Sequence, residues 1–270
     1  NFSNRIRQFP LGNRASNLDI AIIGYELALT IFTRADFPQD WAMTQNNLGN
    51  AYKNKITGNK AENLDEAIRC YQLALEVYTR ADFPEDWAMT QNNLGNAYLY
   101  KITGNKAENL DEAIRCYQLA LEVRTRADFP QDWARTQNNL GVAYSDKITG
   151  NKAENLDEAI RCYQLALEVR TRADFPQDWA RTQNGLGNAY LYKITGNKAE
   201  NLDEAIRCFQ QALEVYTRAD FPQEWAWTQN NLANAYLYKI TGNKAENLDE
   251  AIRCYQLALE VRTRADFPQD

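Results

Sequence analysis

A block of 46 residues recurs along the chain almost letter for letter. Trp41, Trp87, Trp133, Trp179 and Trp225 mark the step, as do Asn-Leu-Asp triplets beginning at Asn17, Asn63, Asn109, Asn155, Asn201 and Asn247. Phe-Pro pairs from Phe37 to Phe267 keep the same spacing. A fixed period of this size signals a solenoid, in which one unit cannot bury its own apolar face and neighbours bury it by stacking. The chain is therefore read as a single repeat array over 1–270, with no need for one large core. Its units are 17–62, 63–108, 109–154, 155–200 and 201–246, with a half unit at 247–270. Residues 1–16 read as the degraded end of a preceding unit, because Asn1-Phe2-Ser3-Asn4 aligns with Asn47-Leu48-Gly49-Asn50. The closing Phe267-Pro268-Gln269-Asp270 stops just before the next Trp is due, so the expectation is a fragment of a longer array. Uncapped terminal repeats would expose apolar surface and allow end-to-end self-association.

Composition narrows the function classes. A net charge of -6 argues against a nucleic-acid surface, which needs clustered Lys and Arg. No apolar run approaches the roughly 20 residues that span a bilayer, and no signal peptide opens the chain. Histidine is absent, which removes the commonest general base and metal ligand. Ser3, Ser16 and Ser145 do not recur with the repeat. No nucleophile–base pair or phosphate loop stands out, so the expectation is no catalytic site, no metal and no cofactor. Cys70, Cys116, Cys162, Cys208 and Cys254 do recur. Stacked helical repeats place equivalent positions roughly 10 Å apart, beyond the reach of about 7 Å for a disulfide. They read as reduced, packed thiols in a cytoplasmic protein.

Within one unit the pattern gives two helices. Asn63 and Glu66 have the spacing of a helix start. The following residues are apolar around more than half the circumference, as in a helix sandwiched between neighbours. This helix, B, is expected over about 64–80. Phe83-Pro84 opens helix A, since proline suits the first turn, and A is expected over about Pro84 to Tyr100. Gly95 allows a close helix approach, Gly104 suits a left-handed turn, and Ile102 is expected to anchor the loop to the core. The chain thus reads as six B helices alternating with five A helices.

The set Leu94-Gly95-x-x-Tyr98 with Ala113-x-x-x-Tyr117-x-x-Ala120-Leu121 resembles the tetratricopeptide repeat, and the match is spread over 17–270. The period is longer than the usual one, and Gln91 stands where the family places its Trp. The long period, the Phe-Pro start and Thr-Gln-Asn-Asn-Leu-Gly-Asn-Ala-Tyr are similar to kinesin-light-chain-type repeats and to bacterial, notably cyanobacterial, arrays. The resemblance implies an all-α fold, a right-handed superhelical α-solenoid of antiparallel helix pairs. It also implies a concave face, lined by A helices, that binds peptides or proteins. A HEAT-type array is the alternative fold.

The face of helix A opposite its core holds Asn46, Asn92, Asn138, Asn184 and Asn230 at one recurring position. Asn50, Asn96, Asn188 and Asn234 hold a second, where Val142 is the exception. A carboxamide donates and accepts, so it can pair with both groups of an extended backbone; inter-repeat hydrogen bonding or plain solubility is the competing use. Variation concentrates on the same face, at Met43, Met89, Arg135, Arg181 and Trp227 and at Asn54, Tyr100, Asp146, Tyr192 and Tyr238. The end of helix B varies in step: Phe32 with Met43, Tyr78 with Met89, Arg124 with Arg135, Arg170 with Arg181, Tyr216 with Trp227. Each pair is expected to meet across the Phe-Pro turn. Two arginines repel unless an anion lies between them, so a ligand carboxylate at this basic centre is one expectation. Local neutralisation by Asp128, Asp132, Asp174 and Asp178 is the other. The function expected is a non-enzymatic scaffold for a protein or peptide. The alternative is a structural spacer whose length is set by repeat number.

Overall fold

The computed structural model describes residues 2–7 and 12–262, and every regular element among them is an α-helix. In chain order these are α1 (Phe2–Arg7), α2 (Arg14–Leu29), α3 (Pro38–Lys53), α4 (Lys60–Leu75), α5 (Pro84–Leu99) and α6 (Lys106–Leu121). They continue as α7 (Pro130–Asp146), α8 (Lys152–Leu167), α9 (Pro176–Tyr192), α10 (Lys198–Leu213), α11 (Pro222–Tyr238) and α12 (Lys244–Arg262). The odd-numbered helices from α3 are the A helices and the even-numbered ones the B helices. The expected all-α solenoid of helix pairs is what forms. Asn1 and the terminal Phe267–Asp270 segment, used above to align the ends, lie outside the described residues.

Helix A begins as the sequence requires. Pro84 occupies the first turn, Phe83 precedes it, and Glu85 and Asp86 put negative charge at the positive end. Helix B differs from the expectation at both ends. It starts at Lys60, not near Asn63, because Asn59-x-x-Glu62 offers the same capping spacing one turn earlier. Asn59 Oδ1 accepts from the Ala61 N–H at 2.9 Å, and Asn59 Nδ2 donates to Glu62 Oε1 at 3.2 Å. Gly58, at φ +75°, reverses the chain just before. Asn63 lies inside the helix and donates Nδ2 to the Thr57 carbonyl at 2.9 Å. The helix ends at Leu75 rather than near 80, because the Val77 and Tyr78 N–H groups both turn onto the Ala74 carbonyl, at 3.1 and 2.9 Å.

The loop between A and B is held by polar contacts rather than by its isoleucine. Lys101 Nζ pairs with Asp65 at 2.8 Å, Thr103 Oγ1 donates to the same carboxylate, and Asn109 Nδ2 donates to the Thr103 carbonyl at 2.8 Å. These bonds fix the backbone without burying Ile102. Its side chain is 68% exposed, so the expected anchoring to the core does not occur.

By contacts the chain forms two compact units, 1–139 and 140–270, with the division inside α7. In the first unit α2 to α6 pack in succession, and α3 also touches α5. In the second, α8 to α12 pack in succession, and α9 touches α11. The core has one recurring motif. A B-helix aromatic ring lies flat on an A-helix glycine. A Cβ placed on Gly49 would fall 2.8 Å from Tyr71 Cε1, and one on Gly95 2.8 Å from Tyr117 Cε1. Gly187 and Phe209 repeat the arrangement at 2.7 Å. The glycine costs roughly 1 kcal/mol of helix propensity and is retained because nothing larger fits under the ring. Ala67, Ile68, Leu94, Ala97 and Cys116 close the same core around Tyr71.

Consecutive units are also stapled on the outside. Arg34 pairs with Glu76 and Arg80 with Glu122 in the first unit, and Arg172 with Glu214 and Arg218 with Glu260 in the second. Each staple joins residues 42 apart. Exposed pairs of this kind contribute about 0–1 kcal/mol each.

Candidate peptide-binding site

The A helices carry every residue proposed above for ligand contact, and their packing divides those residues into two groups. The asparagines of the first group lie in the seam between successive A helices. Asn46 and Asn92 are buried. Asn46 Oδ1 accepts from Thr90 Oγ1 at 3.4 Å and Asn93 Nδ2 at 3.2 Å. Asn92 Oδ1 accepts from Thr136 Oγ1 and Asn139 Nδ2, both at 3.3 Å. Asn138 is likewise buried. In the second unit Asn184 is half-buried; it donates to Thr228 Oγ1 at 2.8 Å and accepts from Asn231 Nδ2 at 3.0 Å. Asn230 is half-buried.

The second asparagine position meets the B-helix ring from below. Tyr71 Oη donates to Asn50 Oδ1 at 3.0 Å, Tyr117 Oη to Asn96 Oδ1 at 3.0 Å, and Tyr255 Oη to Asn234 Oδ1 at 2.6 Å. Asn96 Nδ2 also donates to the Asn92 carbonyl at 3.0 Å, which engages both ends of its carboxamide. These Tyr, Thr and second Asn partners were not identified from the sequence. The signal that could have found the Asn–Tyr pairing is coupled exception: Val142 breaks the Asn position and Gly185 the neighbouring seam Asn, and both lie in the core around Tyr163. Gly185 has a packing consequence, since a Cβ there would lie 2.8 Å from Tyr163 Cε1.

The variable side chains form the second, outward group. Met43, Tyr100, Tyr192, Trp227 and Tyr238 are exposed, Trp227 most of all at 67%. Arg135 and Arg181 are exposed and Met89 is half-buried. The arginines have local counter-charges. Arg135 pairs with Asp132, and Arg181 with Asp178 at 3.2 Å. Arg170 Nη2 lies 3.7 Å from the same Asp178 oxygen, so one carboxylate separates the two like charges. Asp128 and Asp174 instead close turns by accepting from Thr125 and Thr171.

Arg124 is 95% removed from solvent, since only 5% of it is exposed, and donates to Thr136 Oγ1 at 3.4 Å. Burial pulls its pKa down, Asp132 opposes the shift, and Arg135 adds to it. A cavity of about 140 Å³ lies against it, walled by Met89, Val123 and Phe129 and rimmed by Glu85, Asp86 and Asp132. The equivalent Tyr216 reaches back to the preceding A helix, where its hydroxyl donates to the Gln177 carbonyl at 3.3 Å. The end of helix B thus touches the A helix before it as well as the one after.

The recurring cysteines are buried and unpaired by disulfides. Burial pushes the thiols of Cys70, Cys116, Cys162 and Cys208 up to about 12, which suppresses the reactive thiolate. Among the described residues no group of His, Cys, Asp and Glu could hold a metal, and no helix is long and apolar enough to cross a membrane.

No curated protein sequence matches the chain. Among solved structures it is similar to BtubC (BKLC) from P. vanneervenii, at 18% identity and a TM-score of 0.62, covering 95% of this chain and 94% of that one. It is also similar to Acl4, the assembly chaperone of RpL4, at 14% identity and a TM-score of 0.57, covering 97% and 95%. At these identities the likeness speaks for the shared helical-repeat fold. The Sel1 repeat model matches residues 42–76, 88–122, 134–168, 180–214 and 228–260, well over half of the chain. Each match runs from an A helix into the B helix that follows, a unit of the TPR-like type. Sel1-repeat proteins are in general protein-interaction scaffolds, and with five tandem copies this chain belongs to the Sel1-repeat family.

Proposed function

We propose that the array is a non-enzymatic scaffold that holds an extended peptide segment along its A helices, in a cytoplasmic setting where its thiols stay reduced. One observation carries this reading. In a chain of near-identical units, one set of differences projects outward from the A helices and their caps, at Met43, Tyr100, Arg135, Arg181, Tyr192, Trp227 and Tyr238, beside buried differences at the end of helix B. Exposed aromatic and arginine side chains are the residue types that dominate binding energetics. The asparagines supply the frame from which they project. The kinesin-light-chain-type likeness, resting on the long period and the Phe-Pro start, supports the same reading. An acidic ligand group would have to displace Asp132 from Arg135 or Asp178 from Arg181, so carboxylate recognition is secondary to apolar and backbone contact.

The test is selection of random dodecapeptides displayed on phage against the wild-type chain. It is repeated on a triple variant, Tyr192→Ala, Trp227→Ala, Tyr238→Ala. Enrichment on the wild type that disappears on the variant is the expected result. Failure to enrich any peptide, together with concentration-dependent assembly by light scattering, would replace this reading with the self-associating spacer.

A further inference from the structure

The end of helix B takes one of two fillings, an aromatic ring or an arginine. Tyr78 and Tyr216 place buried rings there, edge-on to Phe83 and Phe221 with centroids 5.7 Å apart. Tyr78 also packs with Val77, and Asp86 and Asp40 lie close enough to help raise its phenol pKa. One 46-residue step on, Val123, Phe129, Asp132 and Asp86 make the same frame, and all four line the cavity beside Arg124. Arg124 stands where the ring would be, and its guanidinium is engaged with Thr136 Oγ1 at 3.4 Å. The space left over is about 140 Å³, walled also by Met89. An apolar cavity of about 150 Å³ accommodates benzene, so this one takes a single aromatic ring. Arg170 repeats the substitution one unit later, but there Arg135 stands at the position of Met89. The wall that is apolar beside Arg124 is charged beside Arg170.

We propose that this cavity receives the phenol ring of a tyrosine from a protein partner, with basic residues on either side of that tyrosine. The protein source of the ring rests on the scaffold reading above, while the cavity stands on its own geometry. The chain itself supplies the template, since its own tyrosines fill the equivalent space in two other units. Met89, Val123 and Phe129 would bury the ring, and Arg124 would add a cation–π contact. The hydroxyl has a matching acceptor. Tyr216 Oη donates to the Gln177 carbonyl at 3.3 Å, and Glu85 occupies the place of Gln177 on α5. The rim selects the neighbours of the ring. Asp132 is engaged by Arg135, whereas Glu85 and Asp86 have no ion pair among the described residues. Glu85 is also an exception in the array, because Gln39, Gln131, Gln177 and Gln223 stand at its position in the other A helices. The charge it adds lies at the mouth of the cavity, where it attracts a cation and repels an anion.

The two methionines of the chain make the test direct. With methyl-labelled methionine, the Met89 resonance reports the cavity and the Met43 resonance is the internal control. The probes share one ring and differ in charge: tyramine, cresol and hydroxyphenylpropionate, followed by short peptides with lysines or glutamates flanking a single tyrosine. Tyramine should move Met89 and leave Met43 in place. It should bind about tenfold tighter than hydroxyphenylpropionate, with cresol between them. The lysine-flanked peptide should bind, and its alanine-for-tyrosine version should not. Arg124→Tyr plugs the cavity with the residue that two other units already use, so it should fold and lose all binding, while Arg170→Tyr keeps it. Glu85→Gln, the residue found in the other A helices, should narrow the gap between tyramine and hydroxyphenylpropionate and leave cresol unchanged. An unmoved Met89 resonance at millimolar tyramine overturns the proposal, as does binding that survives Arg124→Tyr. Tyramine binding with no binding of the lysine-flanked peptide overturns the protein source. Each of these leaves the scaffold reading to the phage selection, which does not depend on Arg124.

Discussion

Helices α5 and α6 in the first unit and α9 and α10 in the second follow the same frame, and their cores are built on the same glycine-and-ring contact. In the first pair Asn92 takes two donors from the next A helix, and Asn96 is held through both ends of its carboxamide. In the second pair Phe209 brings no hydroxyl to Asn188, which keeps one long hydrogen bond through its Nδ2. The contrast separates two settings of one residue type. Where every partner is present, asparagine is a rivet between helices. Where the hydroxyl is missing, the same residue is left with a single hydrogen bond, to Asn184 on its own helix.

The largest expected effect is one the two units should share, and it would break the comparison if they did not. Burial raises the thiols of Cys70 and Cys116 in one unit and Cys162 and Cys208 in the other from 9.0 to about 12. The folded state therefore holds protons that the unfolded chain releases above 9. This stabilisation is complete below 9 and lost as pH rises toward 12, by about 1.4 kcal/mol per thiol per pH unit. Urea midpoints between pH 8 and 11 should fall for both units together, and replacing Cys116 by Ala should flatten the slope. Loss of one unit well before the other would show that they differ in more than the seam.

Next in size is the ring contact. Gly95→Ala puts a methyl 2.8 Å from Tyr117 and should cost about 1–3 kcal/mol by overpacking, measured by denaturant unfolding. Gly185→Asn should cost a similar amount because Tyr163 occupies the space. Adding Val142→Asn should recover part of it by offering Tyr163 the carboxamide that Tyr71 and Tyr117 use at the equivalent positions. Strict additivity in that double-mutant cycle would deny that the two exceptions are coupled. Smallest is Tyr117→Phe, which removes the hydroxyl bond to Asn96 and should cost about 1 kcal/mol. Thermal melts should resolve that loss, and the change should make Asn96 behave like Asn188.

How much of this was legible beforehand depends on the range of the contact. The glycine's packing role could be read because Gly95 falls at the border of the face that carries Trp87, Leu94 and Tyr98. The start of helix B was placed a turn late because Asn59-x-x-Glu62 and Asn63-x-x-Glu66 present the same local cue. Only the reversal at Gly58 chooses between them. The seam was invisible to a helical wheel. Asn46 lies on the far side of α3 from its partner B helix, yet is covered by residues 44 and 47 positions away. Ile102 misled for the opposite reason: hydrophobicity suggested burial, while the loop had already been fixed by Lys101, Thr103 and Asn109.

The arginine–glutamate staples carry a consequence for ancestry. Because each spans the same 42 positions, unequal recombination that deletes or inserts one whole copy joins an arginine to a new glutamate at the old distance. Every junction is rebuilt by the cut itself, so the gene can lengthen or shorten without a poorly matched intermediate.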